Sequence, residues 1–257
     1  MLRSRVIPCL LIHKKGLVKT VNFKNPKYVG DPINAVKIFN EKEVDELIVL
    51  DIDASVENRE PNFEMIKNLA TECRMPFCYG GGITTVEQAK KIIELGAEKI
   101  AISSSAIKNL VLIREIGEEV GVQSVVVVLD LKKRGFLSGG GYDIYIRNGK
   151  EKVNVQLKDF INQLNEIGVG ELIINSIDND GLMQGYNNDL ITLIRDWTNF
   201  PLTVLGGAGS LDDIKNIIKK YKIIGVAAGS LFVFKGKYRA VLINYPNREE
   251  KAKLFNQ

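Results

Sequence analysis

Aspartates that directly follow apolar runs can be held partly out of water, where a carboxylate serves as an acid or a base. Asp130 closes VVVVLD (125–130), Asp51 follows ELIVL, and Asp178 and Asp180 stand in SIDNDG (176–181). Asp130 is the best candidate, because its run VVVVL reads as a buried strand end. Asp53 and Asp178 read more readily as helix caps or loop residues than as chemistry. A second chemistry is phosphate binding. YGGGIT (79–84) is followed by AISSSA (101–106), and LGGAGS (205–210) by AAGS (227–230). Glycines after a strand expose backbone N–H groups, the following helix adds its dipole, and serines add hydroxyl donors. One such turn is weak evidence, since left-handed turns need glycine anyway. Two copies imply a ligand with a phosphate at each end. A third set is Arg5, Glu46, Lys99 and Glu171, each at the start of an apolar run. If those starts converge, the four charges form an alternating ring able to act as a gate.

Eight short apolar runs must carry these groups. They lie near Arg5–Leu11, Glu46–Asp51, Phe77–Tyr79, Lys99–Ile102, Ser124–Asp130, Glu171–Asn175, Pro201–Leu205 and Ile224–Ala227. They are almost continuously apolar, as parallel strands covered on both faces must be. Between them lie amphipathic stretches such as VEQAKKIIELG (86–96) and LKDFINQLNEIG (157–168), each with a C-terminal glycine. Alternating strands and helices predict a barrel or a doubly wound sheet.

An internal repeat favours the barrel. ELIVLDID (46–53) matches ELIINSID (171–178) at an offset of 125. The same offset lays Gly81-Gly82 on Gly206-Gly207, and Ser105 on Ser230. A four-strand unit used twice closes as a single (β/α)8 TIM-type barrel over 1–257, built from two half-barrels. The repeat also exposes a mismatch. VIPCLL (6–11) laid on VVVVLD (125–130) puts Leu11 opposite Asp130, so the symmetric carboxylate is missing. After Asp130, YDIYIRNGKEKVNV alternates apolar and polar around Asn148-Gly149, which predicts a type I′ hairpin insertion after strand five. It reads equally as a surface hairpin or as a substrate lid carrying Gly139–Gly141.

Composition bounds the alternatives. At 257 residues, 45% hydrophobic and 26% charged, the chain can bury a full core without metal or disulfides. Its net charge of +4, with both signs interspersed, suits anionic small molecules and does not call for nucleic acid. The apolar stretch Val6–Ile12 is too short for a signal segment or a membrane span, so no membrane association is expected. Cys9, Cys73 and Cys78 form no CxxC pair, which predicts a reduced, cytoplasmic protein. With His13 the single histidine, neither a histidine-based metal site nor a cofactor is expected.

Together these motifs resemble the cyclase subunit (HisF) family of imidazole glycerol phosphate synthase. GDPINAVKIFNEKEVDELIVLDIDAS, GGGI, GAEKI, VVVVLD, SIDNDG and GGAGS carry the resemblance, which runs from the start to about Phe234. It implies a heterodimer with a HisH-type glutaminase at the barrel bottom. Ammonia would pass a charged gate and react at the top with a bisphosphorylated ribulosyl-aminoimidazole. By the same resemblance Asp130 is one of two catalytic aspartates, and Leu11 stands in place of the other. Arg5, Glu46, Lys99 and Glu171 match the gate. Gly82 and Ser104 match one phosphate site, with Ser103 where the family usually has asparagine. Asp180, Gly181, Gly207, Gly229 and Ser230 match the other, with Leu205 in place of a usual serine. The segment KGKYRAVLINYPNREEKAKLFNQ does not read as the usual closing helix.

A leucine neither accepts nor donates a proton. The pattern therefore resembles a paralogous group associated with surface-polysaccharide synthesis, whose barrel partners a glutaminase and a sugar amidotransferase. The alternative is authentic cyclase activity in histidine biosynthesis. A sugar-phosphate isomerase on the related half-barrel repeat would want carboxylates at both 11 and 130, so Leu11 weakens that reading too.

Overall fold

The computed structural model describes residues 3–135 and 139–255. Part of the expected glycine-rich lid, 136–138, lies outside the described residues. Eight strands form the barrel: β1 Arg5–His13, β2 Leu47–Asp51, β3 Phe77–Gly80, β4 Lys99–Ile102, β5 Val125–Lys133, β6 Glu171–Ser176, β7 Leu202–Leu205 and β8 Gly225–Ala228. Each pairs in parallel with the next, and β8 returns to β1 through Val6↔Val226 and Ile7↔Ala227. Closure leaves no barrel edge, and helices connect the strands on the outside.

The strand sequences explain the two-sided burial. Ile7, Cys9, Ile48, Cys78, Ala101, Val126, Val128, Ile173 and Ala227 point inward and fill the barrel interior. Their neighbours Val6, Leu47, Val49, Val127, Ile174 and Val226 point outward against the helices. Strand side chains alternate faces, so covering both faces demands a continuous apolar run.

The repeat is structural as well as sequential. Helices Val86–Glu94 and Leu211–Tyr221 each begin with a capping box, from Thr85 and Gln88 in one and Ser210 and Asp213 in the other. Those pairs are again 125 positions apart, so each glycine motif feeds a helix with the same closed N-terminus.

Two antiparallel excursions rise from the C-terminal ends of the barrel strands. Gly16–Val21 pairs with Lys24–Gly30 after β1, a hairpin the sequence reading did not anticipate. Tyr142–Ile146 pairs with Glu151–Lys152 after β5, as expected, but the turn is not the two-residue type I′ form. Ile146 faces Glu151, leaving four residues in the connection, and Arg147, Asn148 and Gly149 all take positive φ. Arg147 is also tied to the mouth of the barrel, besides its ion pair with Glu151 of the facing strand at 3.9 Å. Its N–H reaches Ser104 Oγ at 3.1 Å, and its guanidinium reaches Val56 O at 2.7 Å and Asn58 Oδ1 at 3.0 Å.

The C-terminus also corrects the expectation. Phe234–Lys235 pairs with Ala240–Val241, and Arg248–Phe255 does form a helix, packed against Leu211–Tyr221. It is hard to read in sequence because it buries only Leu254. Polar contacts hold it instead: Arg248 to Glu43 at 2.8 Å and Lys251 to Asp45 at 2.8 Å. Just before it, Tyr245 donates to Val6 O at 2.8 Å.

Candidate functional site

An open cavity lies at the C-terminal ends of the strands, with about 1110 Å³ of space counted out to its mouth. That is the size of a site for a sizeable small molecule. The two glycine motifs face it from opposite halves. Gly81 and Gly206 take φ of 124° and 92°, and a side chain on either would strike backbone at the end of the preceding strand, Asp51 O or Ser176 O. Gly82 and Gly207 take φ of 76° and 116° and are as tightly boxed, by Arg59 O and Gly185 O. Only glycine fits at these places, which lets the backbone itself line the cavity.

The structure brings Gly82, Ser103 and Ser104 to one side and Gly181, Gly207, Gly229 and Ser230 to the other. Ser103 Oγ is buried with no partner, so its hydroxyl is available to a ligand. Ser104 Oγ accepts from Arg147 N–H, which ties the hairpin tip to that side. Asn148 on the same tip lines the cavity. Asp180 reaches the cavity, but its Oδ2 accepts from Thr20 Oγ1 at 2.8 Å and Phe23 N–H at 3.2 Å. It anchors the hairpin after β1, and a carboxylate has no donor to offer a phosphate.

Asp130 sits at the inner wall. Burial pushes its carboxyl up to about 7, against the hydrogen bond it accepts from Asn175 Nδ2 at 3.0 Å. Nearby Asp180 adds to the rise. Leu11 faces the same cavity from β1 and sits in register with Leu50 on β2, as Asp130 does with Asn175 on β6. One half-barrel thus presents a hydrogen-bonded polar pair and the other an apolar pair. Asp51 also lines the cavity, but its carboxylate caps the N–H groups of Asp53 and Ala54 and meets Arg59 at 3.3 Å. His13 Nδ1 pairs with Asp53 Oδ1 at 2.7 Å, clear of the cavity lining.

Three side chains were not singled out in the sequence. Lys19, from the hairpin after β1, is 5% exposed and donates to Cys9 O at 2.5 Å. Burial pulls its pKa down. A side chain on Gly229 would collide with its Nζ, so Lys19 and that glycine share one corner of the cavity. The only sequence signal was the alternation GLVKTV, which marks a strand but not its docking. Asn175 looked like an ordinary strand residue. Thr203, fully buried, was likewise unremarked.

The expected charged ring exists at the opposite end. Lys99 Nζ lies 2.8 Å from both Glu46 Oε1 and Glu171 Oε2. Arg5 closes the circle, 2.8 Å from Glu171 Oε1 and in close contact with Glu46. Thr203 Oγ1 donates a further bond to Glu171. Burial disfavours the charges of Arg5, Lys99 and Glu171, but their opposite neighbours outweigh it. Arg5 and Lys99 are held above their ordinary pKa and Glu171 below it. A side chain on Gly225 would overlap Thr203 Oγ1, so glycine leaves the threonine its place beside the ring. Among the described residues no group of three or more His, Cys, Asp or Glu is placed to hold a metal ion, and no helix is long and apolar enough to cross a membrane.

Comparison with known proteins fits this geometry. A family model described as "Histidine biosynthesis protein" matches residues 5–239. A Vibrio vulnificus protein provisionally named imidazole glycerol phosphate synthase subunit hisF3 is 56% identical over 253 residues, spanning 98% of this chain and 96% of its own length. A Leptospira borgpetersenii protein, provisionally named as the HisF subunit, is 54% identical over 99% of this chain and 100% of its own. The imidazole glycerol phosphate synthase subunit HisF of Natranaerobius thermophilus is 36% identical over 95% of this chain and 96% of its own.

Proposed function

Because the chain belongs to the histidine biosynthesis protein family, and within it to the HisF family, we propose that it is the barrel subunit of a glutamine amidotransferase. In this reading residues 1–257 act as one domain. A HisH-type glutaminase docks at the strand starts to make a heterodimer. Its ammonia passes the Arg5–Glu46–Lys99–Glu171 ring and crosses the apolar interior to the cavity. A bisphosphorylated ligand is held there, one phosphate on Gly82, Ser103 and Ser104 and the other on Gly207, Gly229 and Ser230. Gly181 shapes the second side, and Asp180 orders the hairpin that covers it. Asp130 is the acid–base group, its carboxyl raised by burial into the range useful near neutral pH.

The observation that carries the finer reading is Leu11 in register with Leu50, where the other half has Asp130 with Asn175. Ring closure that uses two carboxylates loses one of them here. The chief task is then to deliver ammonia for amidation of a sugar in surface-polysaccharide (O-antigen) synthesis, with a separate sugar amidotransferase as acceptor. The test is glutamine hydrolysis by the HisH-type partner, alone and with this chain. Copurification and stimulation support the reading; absence of both sinks it.

A second reading is favoured by the retained Asp130 and both glycine motifs. It is cyclase activity proper, joining ammonia to the bisphosphorylated ribulosyl-aminoimidazole to give imidazole glycerol phosphate and a carboxamide ribotide. Turnover of that substrate with ammonium salts decides it. Failure beside an active control enzyme leaves ammonia delivery alone.

A further inference from the structure

Asn175 carries a feature of the cavity that neither the phosphate cradles nor the gate accounts for. It is 6% exposed, and its Oδ1 has no hydrogen-bond partner, although the same side chain donates Nδ2–H to Asp130. A buried amide oxygen left unpaired is costly, so its persistence at a cavity wall points to a missing donor. Asn175 lines the cavity, and its neighbour Gly206, also in the lining, carries no side chain to cover it.

The surroundings specify the donor. Between the charged ring and Asn175 the interior is lined by Ile7, Cys9, Ile48, Val126, Val128 and Ile173, which offer a small neutral molecule almost nothing to bond. On the far side of the same tier Leu11 and Leu50 are in register and offer no polar atom. Asn175 and Asp130, in register on β6 and β5, offer an acceptor beside a carboxyl. We propose that Asn175 Oδ1 and Asp130 form the seat at which ammonia is received as it leaves the barrel interior. The proposal rests on reading the chain as an ammonia-conducting barrel.

The chemistry of the pair matches the ligand. Ammonia has three N–H donors and one lone pair. Asn175 Oδ1 accepts one N–H, and the Asp130 carboxyl, raised by burial, either donates its proton to the lone pair or accepts a second N–H. Leu11 makes the seat one-sided: in a barrel with a second carboxylate at position 11 the nitrogen would have two acidic partners across the mouth. Here it has one, and a neutral amide fixes the orientation.

The probe is ammonium chloride, added at about pH 8 so that ammonium and ammonia are both present, to chain carrying 13C-labelled aspartate carboxyls. The Asp130 resonance, assigned by its loss in Asp130→Asn, should shift saturably with ammonium chloride and not with sodium chloride. Asn175→Leu, checked for its fold by circular dichroism, should weaken that response about three- to tenfold, the worth of one hydrogen bond. Asn175→Ser, which keeps a small acceptor, should recover part of it. Equal shifts with both salts, or an unchanged response in a folded Asn175→Leu, overturn the seat. If Asn175→Leu does not fold, Asn175→Ser alone decides: an unchanged apparent affinity overturns the seat and a weakened one supports it. Stimulation of the glutaminase by the unaltered chain is measured in parallel. Its absence, with the seat intact, would point instead to failure of the ammonia-delivery reading.

Discussion

At the scale of single residues, the chain is defined by the contrast between Leu11 and Asp130. Replacing Leu11 with Asp restores the carboxylate that the half-barrel repeat predicts. On the cyclase reading, turnover of a bisphosphorylated ribulosyl-aminoimidazole should rise by about a hundredfold or more, the usual worth of a placed acid or base. A steady-state assay with ammonium salts measures it. Asp130 makes a separate prediction about pH. Its folded pKa of about 7 lies above the ordinary carboxylate value of about 4, so the folded state holds a proton that the unfolded chain releases. The carboxyl's contribution to stability therefore falls as pH rises through that window. Asp130→Asn should flatten the fall and leave the protein more stable at about pH 8, by up to a few kcal/mol. Urea unfolding at about pH 5 and about pH 8 reads the difference.

At the scale of elements, the two halves use the same parts for the same purpose. Each glycine motif is followed by a helix closed with a capping box, from Thr85 and Gln88 in one half and Ser210 and Asp213 in the other. Thr85→Ala and Ser210→Ala should each cost about 1 kcal/mol, and the costs should add, because the helices belong to opposite halves. Thermal unfolding of the two single variants and the double variant tests this. The strand starts behave differently, because their charges form one network. Glu171 is 4% exposed and accepts from Arg5, Lys99 and Thr203. Glu171→Ala leaves Arg5 and Lys99 to share Glu46 alone and should cost about 3–5 kcal/mol. Chemical denaturation measures the loss.

At the scale of the whole molecule, the closed barrel carries two antiparallel hairpins at its mouth. The hairpin Tyr142–Ile146 and Glu151–Lys152 rests on the mouth through Arg147, which bridges to Val56 O, Asn58 Oδ1 and Ser104 Oγ. Since Ser104 belongs to a candidate phosphate cradle, ligand binding and hairpin docking share an atom. Arg147→Ala should release the guanidinium contacts and speed amide exchange across 142–152 by about tenfold, leaving the barrel strands unchanged. Hydrogen-exchange mass spectrometry resolves the two regions.

Much of this protein was determined locally and could be read from the chain. Continuous apolar runs demand strands covered on both faces, and a 125-residue offset repeats glycines, caps and strands alike. The alternating ring was legible because strand starts must converge when a sheet closes. Other features depend on long-range geometry. The hairpin after β1 brings Lys19 into the cavity through a docking that leaves no local pattern. The closing helix Arg248–Phe255 is held by polar contacts to Glu43 and Asp45, some 200 positions away, so its own sequence carries little apolar signal. Asn175 and Asp130 become a pair only when β5 and β6 come into register, and only the folded barrel buries Asn175 Oδ1 without a protein partner at the cavity wall. Residue types set which chemistry was possible, and closure of the sheet decided which of those residues meet.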